Sequence, residues 1–484
     1  MQLTERAVTS SGTWRGVQHG GVASWLGVRY ASPPTGALRF RPAQPPSPLS
    51  GETVADHFGP APIQATPDNE AARLLGAPVG EDCLRLNIWA PAHAHDCAVL
   101  LWIHGGGYVG GSASQLDFDG ARLAASQNIV VSTVGYRTGA LGYLDLRDIL
   151  PDAAPTPGLT DQIQALRWLR ENIAAFGGDP GRITIAGQSA GANAVATLMA
   201  VPEVRGYFRT AIAQSAPLTA AHDPANSRMW GTRFAAGLSA GARDLRSAPA
   251  TVLAAAIGPF AERIAAESAG TLATAPVIDG EILPTHPLEA LQSGSAAPVP
   301  LLIGTNRHEA AGLRGSLALR LDREDLLRWF PTAERTEPHL PGAYPGWPDE
   351  TAVDDLGTDL WFRLPSQAGA LGHSTVAPTW SYEFRYEPRG VGAARHGIEA
   401  GFLFGNTDRG MWRWLAPGGP NPNDAAMVAL VQARWGAMVR DADPGVGWPR
   451  FDARRSTMVL DMPAWVEEDP RRAARQAVSA AGRI

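Results

Sequence analysis

The sequence predicts an α/β protein: a large, mostly parallel central sheet with an antiparallel edge at its N-terminal side, helices on both faces and a helical cap region. Three observations carry this. Short apolar, β-prone runs recur at 98–103, 129–134, 183–186, 210–214, 301–304 and 379–384, separated by helix-forming segments. One run, Ile183 to Ala186, feeds Gly187-Gln-Ser-Ala-Gly191, a Gly-x-Ser-x-Gly turn that opens onto the helix former 192–199. Ahead of all these, residues 4–64 alternate short β-prone runs with turns, the pattern of an antiparallel edge.

In chain order, 22–30 reads as an edge strand closed by the turn Ala31-Ser-Pro-Pro-Thr-Gly36. From Glu81-Asp-Cys-Leu-Arg-Leu-Asn-Ile-Trp89 onward the spacing changes to strands alternating with helices, as in a doubly wound sheet. The helix over 159–173 lines up Ile163, Leu166, Leu169 and Ile173 in one stripe and should lie on the sheet. Residues 315–375 mix helix-like pieces such as 324–330 with Pro-rich connections, which suits a cap over one end of the sheet. The tail from Asp469 reads as a solvated C-terminal helix. No linker, repeat or low-complexity segment divides the chain, so residues 1–484 are read as a single domain.

Composition excludes several function classes. A net charge of -6 and a pI near 6.0, with no run of basic residues, leave no electrostatic footprint for nucleic acid. All 41 basic residues are Arg, which with abundant Ala, Gly and Pro suggests a GC-rich genome. The first ten residues have neither a basic nor an apolar signal region, and no apolar run reaches bilayer length. The expectation is a cytoplasmic protein with no membrane partner, a monomer or weak homo-oligomer. Two cysteines, Cys83 and Cys97, in so long a chain are expected as inert thiols and not as a bridge or metal ligands.

The turn at 187–191 carries the chemistry. Small residues at Gly187 and Gly191 let the backbone reverse sharply and lift the Ser189 hydroxyl out of the sheet edge, and the N–H of Ala190 then lies at a helix N-terminus, where negative charge is favoured. A second match, Gly237-Leu-Ser-Ala-Gly241, follows an Ala-rich helical stretch and lacks the preceding apolar strand, so Ser239 is read as a helix end. A free Ser hydroxyl is a poor nucleophile and requires a base, a group to orient the base, and more donors for the oxyanion. His104-Gly-Gly-Gly-Tyr108 follows the apolar run 100–103, and its glycines let backbone N–H groups approach a substrate oxygen; Gly106 and Gly107 are the donors assigned alongside Ala190.

On an α/β-hydrolase sheet the order is Ser, acid, His. The segment 301–309 places Glu309 just past a strand, whereas Asp279 and Asp359 sit in turn-like contexts that suit capping. His308 is excluded as the base, because neighbouring residues point their side chains apart. After Glu309 the histidines His339, His373 and His396 remain, and the residues alone leave the choice open.

Together these motifs make the chain similar to the type-B carboxylesterases, the cholinesterase-like branch of the α/β hydrolases, and most like bacterial para-nitrobenzyl esterases. The resemblance spans nearly the whole chain: Gly27 to Phe40, Glu81 to Asn87, His104 to Tyr108, Asp161-Gln162, Asn172 to Pro180, the Ser189 elbow, Gln214-Ser215, Gly304 to Glu309, His396-Gly397 and Phe404-Gly405. It implies Glu309 as the acid and His396 as the base, and sets Ser215 behind them. Three departures stand out. The elbow is usually Gly-Glu-Ser-Ala-Gly, and Gln188 removes that charge, which argues against a preference for choline-like esters. Cys83 matches a cysteine that is often disulfide-bonded in secreted members, and Pro62 stands where its partner would be. The segment between Glu309 and His396 is short and diverged, so the pocket is read only as candidate walls: Tyr108, Gln188, Trp361 and Phe362, with core packing as the alternative for the aromatics.

The function expected is hydrolysis of small-molecule carboxylic esters through an acyl-enzyme on Ser189, with neither metal nor cofactor. The alternatives are carbamate or amide hydrolysis at the same site, and an inactive cholinesterase-like binding module, which the intact Ser189, Glu309 and His396 argue against.

Overall fold

Strand Cys97–Ile103 is buried along its whole length, and its side chains divide with the pleat. Val99, Leu101 and Ile103 enter one apolar cluster, while Ala98, Leu100 and Trp102 enter another on the opposite face. A strand covered on both faces needs no polar alternation, which is why the run reads as continuously apolar. The computed structural model describes residues 2–4, 6–66, 68–239, 244–268, 270–313, 322–330, 336–412 and 422–480, and among these it shows one twelve-stranded sheet and a second sheet of three short strands.

Across the large sheet the order begins Gln2–Leu3, Val17–His19, Val22–Arg29, Arg85–Pro91 and Val130–Val134, all paired antiparallel. It continues through Cys97–Ile103, Gly178–Gln188, Thr210–Gln214, Leu301–Asn306, Thr379–Phe384 and Ser456–Leu460, and from Val130–Val134 across this stretch every neighbouring pair is parallel. Trp465–Glu468 closes the far edge antiparallel. All six strands read from the sequence are present. The fold is the α/β-hydrolase arrangement expected, with the antiparallel edge at the N-terminal side.

On one face lies Pro157–Asn172, with Pro at its first turn and Ile163, Leu166 and Leu169 in the core together with Ile173 just past its end. Beside it runs Ala190–Ala200, buried throughout. The other face is covered by Pro422–Asp441 through Met427, Val431, Trp435 and Met438.

Four readings need correction. Arg85–Pro91 belongs to the antiparallel edge, because Val130–Val134 inserts between it and Cys97–Ile103. Ala7–Thr9 and Gly12–Arg15 leave the large sheet and pair with Glu52–Val54 in the small one. The C-terminal helix Arg472–Ala480 is not fully solvated: Ala474 and Val478, one turn apart, enter the apolar cluster around Trp329, Tyr344 and Trp361. Within 315–375, residues 315–321 and 331–335 lie outside the described residues; Arg323–Leu327, Leu340–Ala343 and Glu350–Thr358 share that same cluster, but Leu364–His373 packs on the strands Leu301–Asn306 and Thr379–Phe384. Leu364 and Ala370 reach apolar cores on either side, so this helix serves the sheet.

The helix after the elbow lies against the neighbouring strand. A methyl group on Gly191 would stand 2.0 Å from the Ile103 carbonyl oxygen and 2.7 Å from that of His104, and one on Gly187 would meet Gly191 at 2.5 Å. Neither approach tolerates a side chain. Gly191→Ala should therefore destabilise by about 3 kcal/mol or more, as overpacking against rigid backbone does. Gly258, in the helix Ala250–Glu267, has open space at the same position, and Gly258→Ala should be neutral or stabilising by up to ~1 kcal/mol through helix propensity. Thermal melts of the two variants against the native protein check this contrast.

Candidate active site

Ser189 is the corner between Gly178–Gln188 and Ala190–Ala200, with φ 59° and ψ -127°. A non-glycine residue there is strained by roughly 1–3 kcal/mol. Its surroundings hold it: its N–H donates to the Gln214 carbonyl at 2.8 Å, and its own carbonyl accepts from Asn193 at 2.9 Å. Ser189 is thereby fixed at the strand end, where it is 6 % exposed. Ala190 is the first helical residue, so its N–H has no intrahelical partner. Ser239 lies exposed just past the helix Pro224–Ala236, the position read from the sequence.

The glycine loop lies directly beside this corner. A methyl on Gly105 would be 3.0 Å from Ser189 Cβ and 2.8 Å from the Gln188 carbonyl oxygen. Gly106 and Gly107 take φ values of 116° and 60°, and the Gly106 carbonyl accepts from Val109 and Gly110, closing the turn. Burial lowers His104 to about 4, so this ring is neutral; it stacks on Tyr136 at 4.3 Å and acts as a wall of the loop.

Two loops, one after Leu301–Asn306 and one after Thr379–Phe384, bring Glu309 and His396 together. A short bridge between His308 and Arg395 joins them, with His308 N–H donating to the Ala394 carbonyl at 2.9 Å. His396 Nδ1 lies 2.6 Å from Glu309 Oε2, and Glu309 Oε1 accepts the Asn306 N–H at 2.6 Å. Glu309 is completely buried. The Phe362 ring, in the π-helical turn Asp359–Arg363, flanks the imidazole at 4.9 Å. Nε2, the other ring nitrogen, lies 3.1 Å from the Gln188 side-chain nitrogen.

The competing candidates are engaged elsewhere. Asp279 accepts the N–H groups of Glu281 and Leu283 in a turn, and Asp359 pairs with Arg363 and accepts from Tyr344. His373 is buried with Nε2 at 2.9 Å from the Val299 carbonyl, and desolvation lowers it below its usual range. His339 is exposed.

Behind the pair lies a group that sequence reasoning missed. Glu399 is completely buried and accepts from Asn306 Nδ2 at 2.5 Å, Gln214 Nε2 at 3.3 Å and Ser215 Oγ at 3.4 Å. Asn306 thus links two carboxyl groups, its backbone to Glu309 and its side chain to Glu399. Burial and the neighbouring Glu309 carboxylate push Glu399 up to about 7. The signal was a single carboxylate in the otherwise apolar run after His396. Ser215 sits behind the pair as expected, in contact with Glu399.

A cleft of about 780 Å³ opens beside the elbow, lined by Leu74, Leu75, Gly105, Gly106, Leu116, Phe118, Gln188 and Met411, with Arg73 and Arg409 among its lining. That size suits a small organic molecule. Of the candidate walls, Gln188 lines the cleft and Phe362 backs the imidazole. Tyr108 and Trp361 lie outside its lining: the Tyr108 ring stacks on Tyr143 at 4.1 Å and its hydroxyl donates to Asn193 at 2.6 Å, while Trp361 packs on Trp329 at 5.0 Å. Leu74, Leu116 and Met411 carried no sequence signal, since single exposed apolar residues are ordinary.

Residues 4–327 match the carboxylesterase family model. The chain is 33 % identical to the para-nitrobenzyl esterase of Bacillus subtilis (strain 168), an alignment covering 98 % of each. The chain belongs to the carboxylesterase family. It is also 32 % identical to the fumonisin B1 esterase of Sphingopyxis macrogoltabida over 93 % of this chain and 85 % of that one. A solved para-nitrobenzyl esterase superposes with a TM-score of 0.87 at 30 % identity, covering 98 % of this chain and 99 % of the other, and a carboxylesterase of Geobacillus stearothermophilus with 0.82 at 32 % identity and the same coverage. This carboxylesterase is therefore a carboxylic-ester hydrolase of the α/β-hydrolase fold. Cys83 and Cys97 are both free and buried, and Pro62 lines the same small cavity as Cys83. Among the described residues no helix is long and apolar enough to cross a membrane, and no group of three or more His, Cys, Asp or Glu is arranged to hold a metal ion.

The raised Glu399 gives a pH-dependent stability. Its folded value near 7 stands above the ordinary 4.5, so between those pH values the folded protein keeps a proton that the unfolded chain has released. Stability falls as pH rises through that window, by on the order of 3 kcal/mol in total. Glu399→Gln lacks this titration. The melting temperature of the native enzyme relative to Glu399→Gln should drop by a few degrees between pH 5 and pH 8, as scanning calorimetry at both pH values will show.

Proposed function

We propose that this carboxylesterase works through an acyl-enzyme on Ser189, with His396 as general base and acid and Glu309 orienting it. The observation that carries this reading is the 2.6 Å contact between Glu309 and His396 Nδ1. A carboxylate there fixes the tautomer, so Nε2 presents its lone pair towards the elbow. The Ser189 proton passes to Nε2 while Oγ bonds to the ester carbonyl carbon and the π electrons move to oxygen. The N–H groups of Gly106, Gly107 and Ala190 hold that oxyanion, the last with the partial positive charge of a helix N-terminus. On collapse the leaving alkoxide takes the proton from His396, and water repeats the sequence to release the acid. The elbow residue Gln188, which lines the cleft without a charge, favours neutral esters over cationic ones. The free, buried thiols support a reducing compartment, such as the cytoplasm.

Variants test the assignment. Ser189→Ala should abolish turnover of a nitrophenyl acetate, while Ser239→Ala leaves it near the native rate. His396→Ala and Glu309→Ala should each lower kcat by about three decades or more, and the double variant little further, since the three act as a unit. His373→Ala is the control; damage there with His396→Ala active would move the base to another histidine. Substrate charge is a separate measurement: kcat/KM for a choline ester should fall below that for its uncharged isostere, and the reverse order would remove Gln188 from the account of selectivity.

A further inference from the structure

We propose that Gln188 is a positioning residue that clasps the base of the resting enzyme, holding His396 neutral with its lone pair occupied until substrate arrives. This rests on His396 being the base. The argument starts from Glu309. Its Oε1 is committed to the Asn306 N–H, so Oε2 is the acceptor for His396 Nδ1–H, and the neutral ring must carry its lone pair on Nε2. That lone pair meets the Gln188 amide nitrogen at 3.1 Å. Between these two atoms only the amide can donate, which fixes the orientation of the amide and turns its carbonyl oxygen towards Gly105, where a methyl would stand 2.9 Å from Oε1.

The clasp is built into the fold. Gln188 ends the strand Gly178–Gln188, its backbone in register with Gln214, and it is 8 % exposed, so water has little room to replace the amide. Nε2 has one lone pair, and the Ser189 hydroxyl must take it for acylation; the amide and the hydroxyl are therefore alternatives. The groups facing the ring from the other packed elements are the Glu309 carboxylate at Nδ1, the Glu399 carboxyl beyond Asn306 and the uncharged Phe362 face, with Arg363 and Asp359 of the same π turn paired to each other. None of these groups approaches Nε2 as a hydrogen-bond partner, so among the described residues Gln188 is the group that distinguishes a free lone pair from a protonated one.

The residue type matters because an amide can donate and a carboxylate cannot. Glu at 188 would meet Nε2 only if the ring were protonated, and Met, of similar length, would neither donate nor accept. The test is kcat/KM against pH for the native enzyme, Gln188→Met and Gln188→Glu on one neutral nitrophenyl ester. The acid limb should move to higher pH in the order native, Met, Glu, by about half a unit for Met and by about one unit or more for Glu, with Glu recovering activity on the alkaline plateau. A residue that only fills space would change amplitude and leave the limb in place. Nitrogen-15 spectra of histidine-labelled protein, with His396→Ala identifying the signal, add a readout independent of turnover: the native Nε2 resonance should show a hydrogen-bonded acceptor at neutral pH and lose that character in Gln188→Met. Superimposed pH limbs with an unchanged Nε2 signal would overturn the clasp. Because His396→Ala is in the same set, a failed clasp with His396→Ala inactive leaves the base assignment standing, whereas an active His396→Ala removes both.

Discussion

The contact on which the site depends is the one between a buried carboxylate and an imidazole, Glu309 to His396, across 87 residues of sequence. Excluded from water, that hydrogen bond is charge-assisted, and losing it would leave a buried carboxylate oxygen without a partner. It needs both loops to be held, and the sheet does this: Leu301–Asn306 and Thr379–Phe384 are neighbouring parallel strands, so the loops leaving their ends emerge side by side. The His308–Arg395 bridge then ties one loop to the other. Glu309 would be costly to bury alone; the Asn306 N–H and the imidazole N–H between them occupy both its oxygens.

The same close packing explains the glycines. Gly105, Gly187 and Gly191 all lie where backbone meets backbone, and each lets the elbow and the glycine loop share a corner that a methyl group would force apart. The left-handed backbone at Ser189 is the residual strain of this arrangement. It sets Ser189 at the corner between the strand end and the helix N-terminus, next to Gln188 and Gly105 of the cleft, so local strain and electrostatic placement come from one turn.

How much of this was legible follows from what kind of signal each part leaves. The parallel strands were plain, because burial on both faces makes runs such as Cys97–Ile103 continuously apolar. Ser189 and the glycine loop were plain as well, since only glycine satisfies those backbones. His396 was not separable from His339 and His373 by its neighbours; its partner is brought in by the fold, and only the family resemblance selected it. The position of Arg85–Pro91 was misread because strand order across a sheet leaves no trace in hydrophobic period. The tail was read as solvated because Ala474 and Val478 make a narrow stripe among arginines. Tyr108 and Trp361 stood as candidate walls with core packing as the alternative, and the direction of each ring, which the sequence does not give, decides what it touches. Glu399 was passed over since a lone carboxylate in an apolar run looks like a surface interruption until its three donors are in place.

The central claim is that the acyl group is carried by Ser189. Its most direct measurement is peptide mapping by mass spectrometry of the native enzyme after stoichiometric inactivation with a fluorophosphonate. The account predicts a single adduct on the peptide that contains Ser189, appearing in step with the loss of esterase activity. An adduct on the Ser239 peptide, or full inactivation with Ser189 unmodified, would contradict it.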